Sequence, residues 1–165
     1  MKVSELMAGH TPDTAFEGIT NADDYVLAVD FTGKSTGIGD YVVAQEGITE
    51  HSGALEAETQ DSRFIRSGKQ NIKTGTQRTF TVSGSRYIGD EFQDALMAHG
   101  LKYGTGQAVV KPFVYFNMLT GTGEQGLVSI AIESDPSGAA GENAGISAKL
   151  TACGTPKEYT YTANP

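Results

Sequence analysis

Short apolar-rich segments alternate with glycine-rich turns along the chain, and most of the segments have the period of β-strands. In residues 77–83, Phe80 and Val82 fall on one side and Thr79 and Thr81 on the other, which is the period of two that a half-buried strand shows. Further strands are predicted over residues 24–31, 41–48, 108–119, 126–134, 145–153 and 157–162. We therefore predict a mainly β fold, a sandwich or barrel of antiparallel strands with one sheet face in the core.

One segment changes period and predicts a single short α-helix that ends at Gly100. Asp90 stands at the N-cap position, and Gln93 follows three residues later at the capping-box position. Apolar residues then recur at spacings of three and four, which predicts one apolar face packed on the side of the sheet. The residues expected to make this contact are Phe92, Leu96 and Met97.

The 165 residues are enough for one domain. Residues 1–22 are polar and show no sustained period, so we predict an N-terminal arm followed by a single β domain over residues 23–165. Within that domain, residues 50–75 are polar and punctuated by glycine, which predicts a long loop. Loops of this length are uncommon inside compact domains and are usually functional or disordered.

Charge is distributed unevenly along the chain. Residues 1–61 hold 12 acidic and 2 basic residues, residues 62–89 hold 6 basic residues and no acidic one, and the remainder holds 8 acidic and 4 basic, which sums to −8. A net negative charge argues against ordinary nucleic-acid binding, because affinity for the backbone comes from Lys and Arg. The two segments either neutralise each other within one subunit or join neighbouring subunits by heterologous contacts.

Residue types that often form catalytic, phosphate-binding or metal sites are present, but not in the groupings that such sites require. The run Gly33 to Thr36 contains the Gly-Lys-Ser core of a phosphate-binding loop, but Ala28 stands where the motif requires glycine. The three histidines are far apart, and Cys153 is the only cysteine. We therefore predict no enzyme activity, no cofactor and no metal site. Because no apolar run approaches the roughly 20 residues of a membrane span, we also predict a protein that is made in the cytosol and has no membrane contact.

Three stretches resemble the major tail tube proteins of long-tailed bacteriophages, which are related in fold to the tube proteins of type VI secretion systems. They are Ser52 to Leu55 with Thr59 to Ile65, then Phe80 to Phe92, and finally Gly141 to Pro156. The middle stretch is the most specific, since it resembles the strand, connector and helix start of that family. The similarity runs from about Tyr25 to Thr162.

This resemblance implies a tail-tube fold and a structural role in the virion tail, reached after synthesis in the host cytoplasm. It implies homo-hexameric rings that stack into a hollow tube with a continuous β-barrel lumen, through which genomic DNA passes without specific binding. Other tail proteins become expected partners: the tape measure, the tail terminator, and the baseplate or sheath.

The same resemblance implies positions for contacts. Residues 50–75 fall where tail tube proteins carry the loop that contacts the adjacent ring, which makes candidates of Leu55, Asp61, Arg63, Phe64, Ile65, Arg66, Lys69 and Lys73. An acidic lumen would repel phosphates and let DNA slide. Glu46 and Glu133, on strand-like runs, are the candidate lumen-facing acids.

Other functions remain open on the sequence alone. The chain could be another phage or secretion-system structural protein: a head-decoration protein, a tail-completion protein or a type VI secretion tube. A small β-barrel or sandwich that binds a ligand is a further alternative, with Tyr41, Tyr87, Tyr103 and Tyr115 as aromatic platforms.

Overall fold

A computed structural model describes residues 1–162, which fold mainly as antiparallel β-sheet. The helices are short: α1 Val3–Leu6, α2 Glu91–Leu96 and α3 His99–Lys102. The strands are β1 Tyr25–Val29, β2 Val42–Val43, β3 Ile48–Phe64, β4 Gly68–Ser85, β5 Val110–Asn117, β6 Thr122–Ser137, β7 Gly145–Ala152 and β8 Lys157–Thr160. The predicted mainly β fold is confirmed.

All strands join one sheet in the order β2-β1-β5-β6-β7-β4-β3, and β8 pairs with β6 next to the end of β7. The sheet curls on itself, so that Phe80 on β4 meets Phe113 on β5 with ring centroids 5.3 Å apart, although two strands separate them. In the described residues the sheet does not close, because no pairing joins β3 to β1 or β2.

The concave face of the curled sheet holds the larger hydrophobic cluster. Phe80 and Val82 point into it from β4, as their alternation predicts, and Ile130 points into it from β6. Helix α2 covers the cluster with Phe92 and Leu96, which are fully buried, while Met97 packs against it half-buried.

The opposite face of β1 and β5 is covered by the N-terminus. Val3 and Met7 are buried in a second cluster with Val26 and Phe116. The backbone amide of Val43 donates to the carbonyl of Met1 at 3.0 Å, so the N-terminus also protects the edge of β2. The first residues of the predicted arm are therefore packed on the sheet.

The prediction of a long loop at residues 50–75 is wrong, because β3 and β4 pair over this whole stretch as a β-hairpin. The three-residue turn 65–67 joins them, and Gly68 follows with φ +74°, the left-handed residue typical of such turns. A loop was predicted because strand alternation reflects one buried face, and here both faces of the outer ribbon are exposed.

Two other elements differ from the sequence prediction. The single helix expected to end at Gly100 is two short helices, separated at Met97 and Ala98. The strand expected over 41–48 is interrupted: Val42–Val43 form β2 and Ile48 begins β3, while Glu46 lies in the turn between them and not on a strand.

Candidate functional site

The outer part of the hairpin, residues 56–77, extends past the pairing of β4 with β7, which ends at Thr79 opposite Thr151. We call this part the distal ribbon. Its register beyond the bulge at Glu58 gives it two different faces. The charged face carries Thr59, Asp61, Arg63, Lys69, Asn71 and Lys73, and the uncharged face carries Gln60, Ser62, Phe64, Gln70 and Ile72.

The charged face contains one local network. Lys69 Nζ lies 2.6 Å from Asp61 Oδ2, and Asn71 Nδ2 donates to Asp61 Oδ1 at 2.7 Å. The hydrogen bonds from Lys69 and from Asn71 lower the pKa of the Asp61 carboxyl below its usual value. Arg63 stands directly opposite Lys69, a like-charge pair that disfavours the ribbon and that the neighbouring Asp61 offsets.

The uncharged face and the turn expose apolar side chains. Phe64 and Ile72 are 48% and 50% exposed, and Ile65 in the turn is fully exposed. Leu55, at the root of the ribbon, is also exposed. A two-stranded hairpin is at best marginally stable alone in water, so this face is suited to being covered by another chain.

Arg78 anchors the ribbon where it leaves the sheet. Its guanidinium lies 4.4 Å from the ring centroid of Phe80 and 5.3 Å from that of Tyr115, and Nε lies 2.5 Å from Glu124 Oε1. The sequence analysis missed this residue, because the partners come from three strands and only the fold brings them together.

The structure places the predicted contact residues as follows. The eight contact candidates of the expected loop all lie on the β3–β4 hairpin or its turn, which brings the two halves of the segment together. The two candidate lumen acids lie on different elements. Glu46 is exposed in the turn before β3, and Glu133 is exposed on β6, where Ser147 Oγ donates to its Oε2 at 3.2 Å.

The loop at Gly33 to Thr36 is built around a carboxylate of the chain itself. Asp30 Oδ1 accepts from the amides of Thr32 and Gly33, and Oδ2 accepts from the amide of Ser35, each at 3.0 Å. Burial raises the pKa of Asp30, but these bonds and the Thr32 hydroxyl together lower it below its usual value. The amides that a phosphate would need are already bonded to Asp30.

Residues 1–162 contain no cluster of three or more His, Cys, Asp or Glu side chains suited to a metal ion, and Cys153 is free and exposed. Within the same residues, no helix has the length and apolar character needed to span a membrane. The tyrosines do not share a platform: Tyr115 stacks on Tyr25, and Tyr103 packs against His99.

No protein-family profile and no curated protein sequence matches the chain. Solved structures do match. A chain from the tail of an empty gene transfer agent particle, refined helically with C6 symmetry, aligns with a TM-score of 0.61 and 19% identity, over 87% of this chain and 100% of that chain. The chain has the tail tube fold. The family resemblance seen in the sequence is thereby confirmed at the level of the fold.

Other structures with this fold support the assignment. A chain from the virion of a native gene transfer agent particle gives a TM-score of 0.62 at 15% identity, over 86% of this chain and 100% of that one. The tube-terminating cap of an anti-feeding prophage gives 0.56 at 15% identity, over 89% of this chain and 95% of that one. The tail tube fold therefore occurs in a protein described as a tube cap as well as in a tail.

Proposed function

We propose that this chain is the structural subunit of a tail tube, in which six copies form a ring and the rings stack into a hollow conduit for DNA. The observation that carries the proposal is the distal ribbon: a tail tube fold extends a paired two-stranded arm beyond its own sheet. The C6 symmetry of the gene transfer agent tail supports the ring size proposed here.

The distal ribbon is the proposed contact between adjacent rings. Ile65 at the turn, with Phe64 and Ile72 on the uncharged face, offers the apolar area for this contact. Burying one such side chain is worth about 1.5–3 kcal/mol. Because six ribbons act together in each ring interface, modest single contacts add up to a stable stack.

The remaining parts of the proposal follow from the same assembly. The chain acts in the virion tail after synthesis in the host cytoplasm, as a structural protein and not as an enzyme. It meets the tape measure, the tail terminator, and the baseplate or sheath. Its net charge of −8 suits a conduit that does not hold DNA, and Glu46 and Glu133 are the proposed lumen-facing acids.

A tube terminator is the second candidate. The structural similarity to the terminator of an extracellular contractile injection system, with a TM-score of 0.51 and 13% identity over 88% of this chain and 100% of that chain, favours it alongside the anti-feeding prophage cap. A terminator forms one ring that ends a tube, whereas a tube subunit stacks without limit.

Electron microscopy of the purified chain across a wide concentration range tests the proposal. We expect sixfold rings at moderate concentration and open-ended tubes at high concentration. Single sixfold rings that never stack would favour the terminator. Monomers at every concentration would contradict both candidates.

A further inference from the structure

The failure of the sheet to close leaves a cleft between two unpaired strand edges. Only Ala28 and Val29 of β1 pair with β2, and the Leu27 carbonyl accepts from the amide of Ala44. Because β3 pairs with β4 alone, Tyr25, Val26 and the start of β3 border an open gap. The gap is a cleft of about 320 Å³. Its apolar lining includes Leu6, Val26, Val43, Ile48 and Met118.

Two acidic side chains, Asp23 and Glu50, also line this cleft. Both are exposed, and neither forms an ion pair within residues 1–162. His51 lines the cleft as well, and its Nδ1 is buried with no hydrogen-bond partner. We call this site, an apolar floor with Asp23 and Glu50, the acidic cleft.

The end of the distal ribbon has the opposite character. Arg63 and Arg66 are exposed and have no ion pair in the described part of the chain. The fully exposed Ile65 stands between them. We call these three residues the basic tip. The basic tip combines one exposed apolar side chain with two positive charges. The acidic cleft combines an apolar floor with two negative charges.

The basic tip cannot reach the acidic cleft of its own chain. Glu50 lies near the start of β3 and Ile65 in the turn just after its end, 15 residues apart, which corresponds to roughly 50 Å in an extended strand at about 3.3 Å per residue. Surfaces this far apart on one chain can meet only between copies, and such heterologous contacts form either a closed ring or an open stack.

We propose that the basic tip of one copy docks in the acidic cleft of the next copy along the tube. Ile65 enters the apolar floor, while Arg63 and Arg66 pair with Asp23 and Glu50. This inference rests on the proposed function, since it names the surface that receives the ribbon in the adjacent ring. It also gives stacking a direction, because tip and cleft differ.

Charge reversal tests the docking. We expect Arg63→Glu with Arg66→Glu, and separately Asp23→Lys with Glu50→Lys, each to lower the sedimentable tube fraction by about tenfold or more, because charge pairs become like-charge contacts. The chain that carries all four substitutions should assemble within about twofold of the unmodified protein. The matched control is Lys34→Glu, another exposed base without an ion pair in residues 1–162, which should have no effect. If the chain with all four substitutions assembles as poorly as the two double variants, the docking is wrong.

A cysteine test does not depend on tube formation. In a Cys153→Ser background, a chain with Ser67→Cys beside the tip is mixed with a chain with Thr49→Cys in the cleft. Mild oxidation should give mainly heterodimers. The control replaces the cleft cysteine with Ala139→Cys on the exposed turn between β6 and β7. Equal cross-linking in both mixtures would overturn the docking.

The two proposals fail in different ways. If the unmodified chain forms tubes while both charge-reversed chains assemble equally well, the docking is wrong and the tube assignment stands. If the unmodified chain forms neither rings nor tubes, the proposed function is wrong, and the cysteine mixtures then decide the docking by themselves.

Discussion

At the residue scale, Gln93 holds together three parts of the fold. Its side chain is fully buried; Nε2 donates to the carbonyls of Glu46 at 2.6 Å and Ser85 at 3.0 Å, and Oε1 accepts from the amide of Tyr87 at 2.8 Å. Gly47, with φ +71°, allows this approach, because a Cβ there would lie 2.7 Å from Nε2. Helix α2 is thereby fixed to the root of the hairpin.

Removing these bonds should be costly. Gln93→Leu keeps a similar volume but removes the partner of three partly buried backbone groups, and a buried group left without a partner costs about 1–3 kcal/mol. We expect the free energy of unfolding in urea to fall by about 3 kcal/mol or more. Glu91→Gln, at an exposed position of the same helix, should change it by less than about 0.5 kcal/mol. A loss below about 1 kcal/mol for Gln93→Leu would show that water replaces the three bonds.

The same residue shows what the sequence could and could not predict locally. Asp90 was correctly predicted as the N-cap, since it accepts from the amide of Gln93 at 2.9 Å. The capping-box role given to the Gln93 side chain was wrong, because that side chain is used by Glu46, Ser85 and Tyr87 instead. Sequence spacing identifies the local bond, but those partners are brought near only by the tertiary fold.

At the element scale, strands with one buried face could be predicted from the sequence, and strands exposed on both faces could not. The inner half of β4 was predicted because Phe80 and Val82 alternate with polar residues towards the core. The outer half of the same strand was missed, since it pairs only with β3 and meets solvent on both faces. The signal present in the sequence was the turn dipeptide Ser67-Gly68, flanked by segments without any hydrophobic period.

The distal ribbon should be dispensable for folding and needed for stacking. Replacing residues 56–77 by Asn-Gly keeps Leu55 opposite Arg78, with a turn that favours tight hairpins. We expect a soluble chain whose thermal midpoint by circular dichroism changes by only a few degrees, because the ribbon adds no core residue.

Electron microscopy of the shortened chain should show no tubes. Lys69→Arg in the full-length chain is the control, since it keeps a positive charge that can pair with Asp61 and should assemble normally. Tubes of ordinary length from the shortened chain would remove the proposed role of the ribbon in stacking.

At the scale of the whole molecule, only some of the bases in residues 62–89 form ion pairs within the chain. Of the six bases in residues 62–89, Lys69, Arg78 and Arg86 pair with Asp61, Glu124 and Asp94. Arg63, Arg66 and Lys73 have no ion pair within residues 1–162. Only the pair of Lys69 with Asp61 joins the basic segment to the acidic segment 1–61, since Glu124 and Asp94 lie in the remainder of the chain. Arg63, Arg66 and Lys73 all belong to the distal ribbon, where they are exposed and free to pair with another molecule.

Assembly should consequently slow as salt is added. The screening length falls from about 10 Å at 0.1 M to about 3 Å at 1 M, which weakens attraction between the basic tip and the acidic cleft while leaving apolar contacts intact. We expect the initial rate of assembly, followed by light scattering, to drop by roughly tenfold over this range.

Arg63→Gln with Arg66→Gln provides the comparison for this salt dependence. The neutralised chain should assemble slowly at low salt and show little further change at high salt, because the charges that salt would screen are already gone. A rate that is independent of salt in the unmodified chain would assign the driving force to Phe64, Ile65 and Ile72 instead. Because an apolar contact has no sign, it selects the partner surface by shape alone, whereas a charged tip also rejects the tip of another copy.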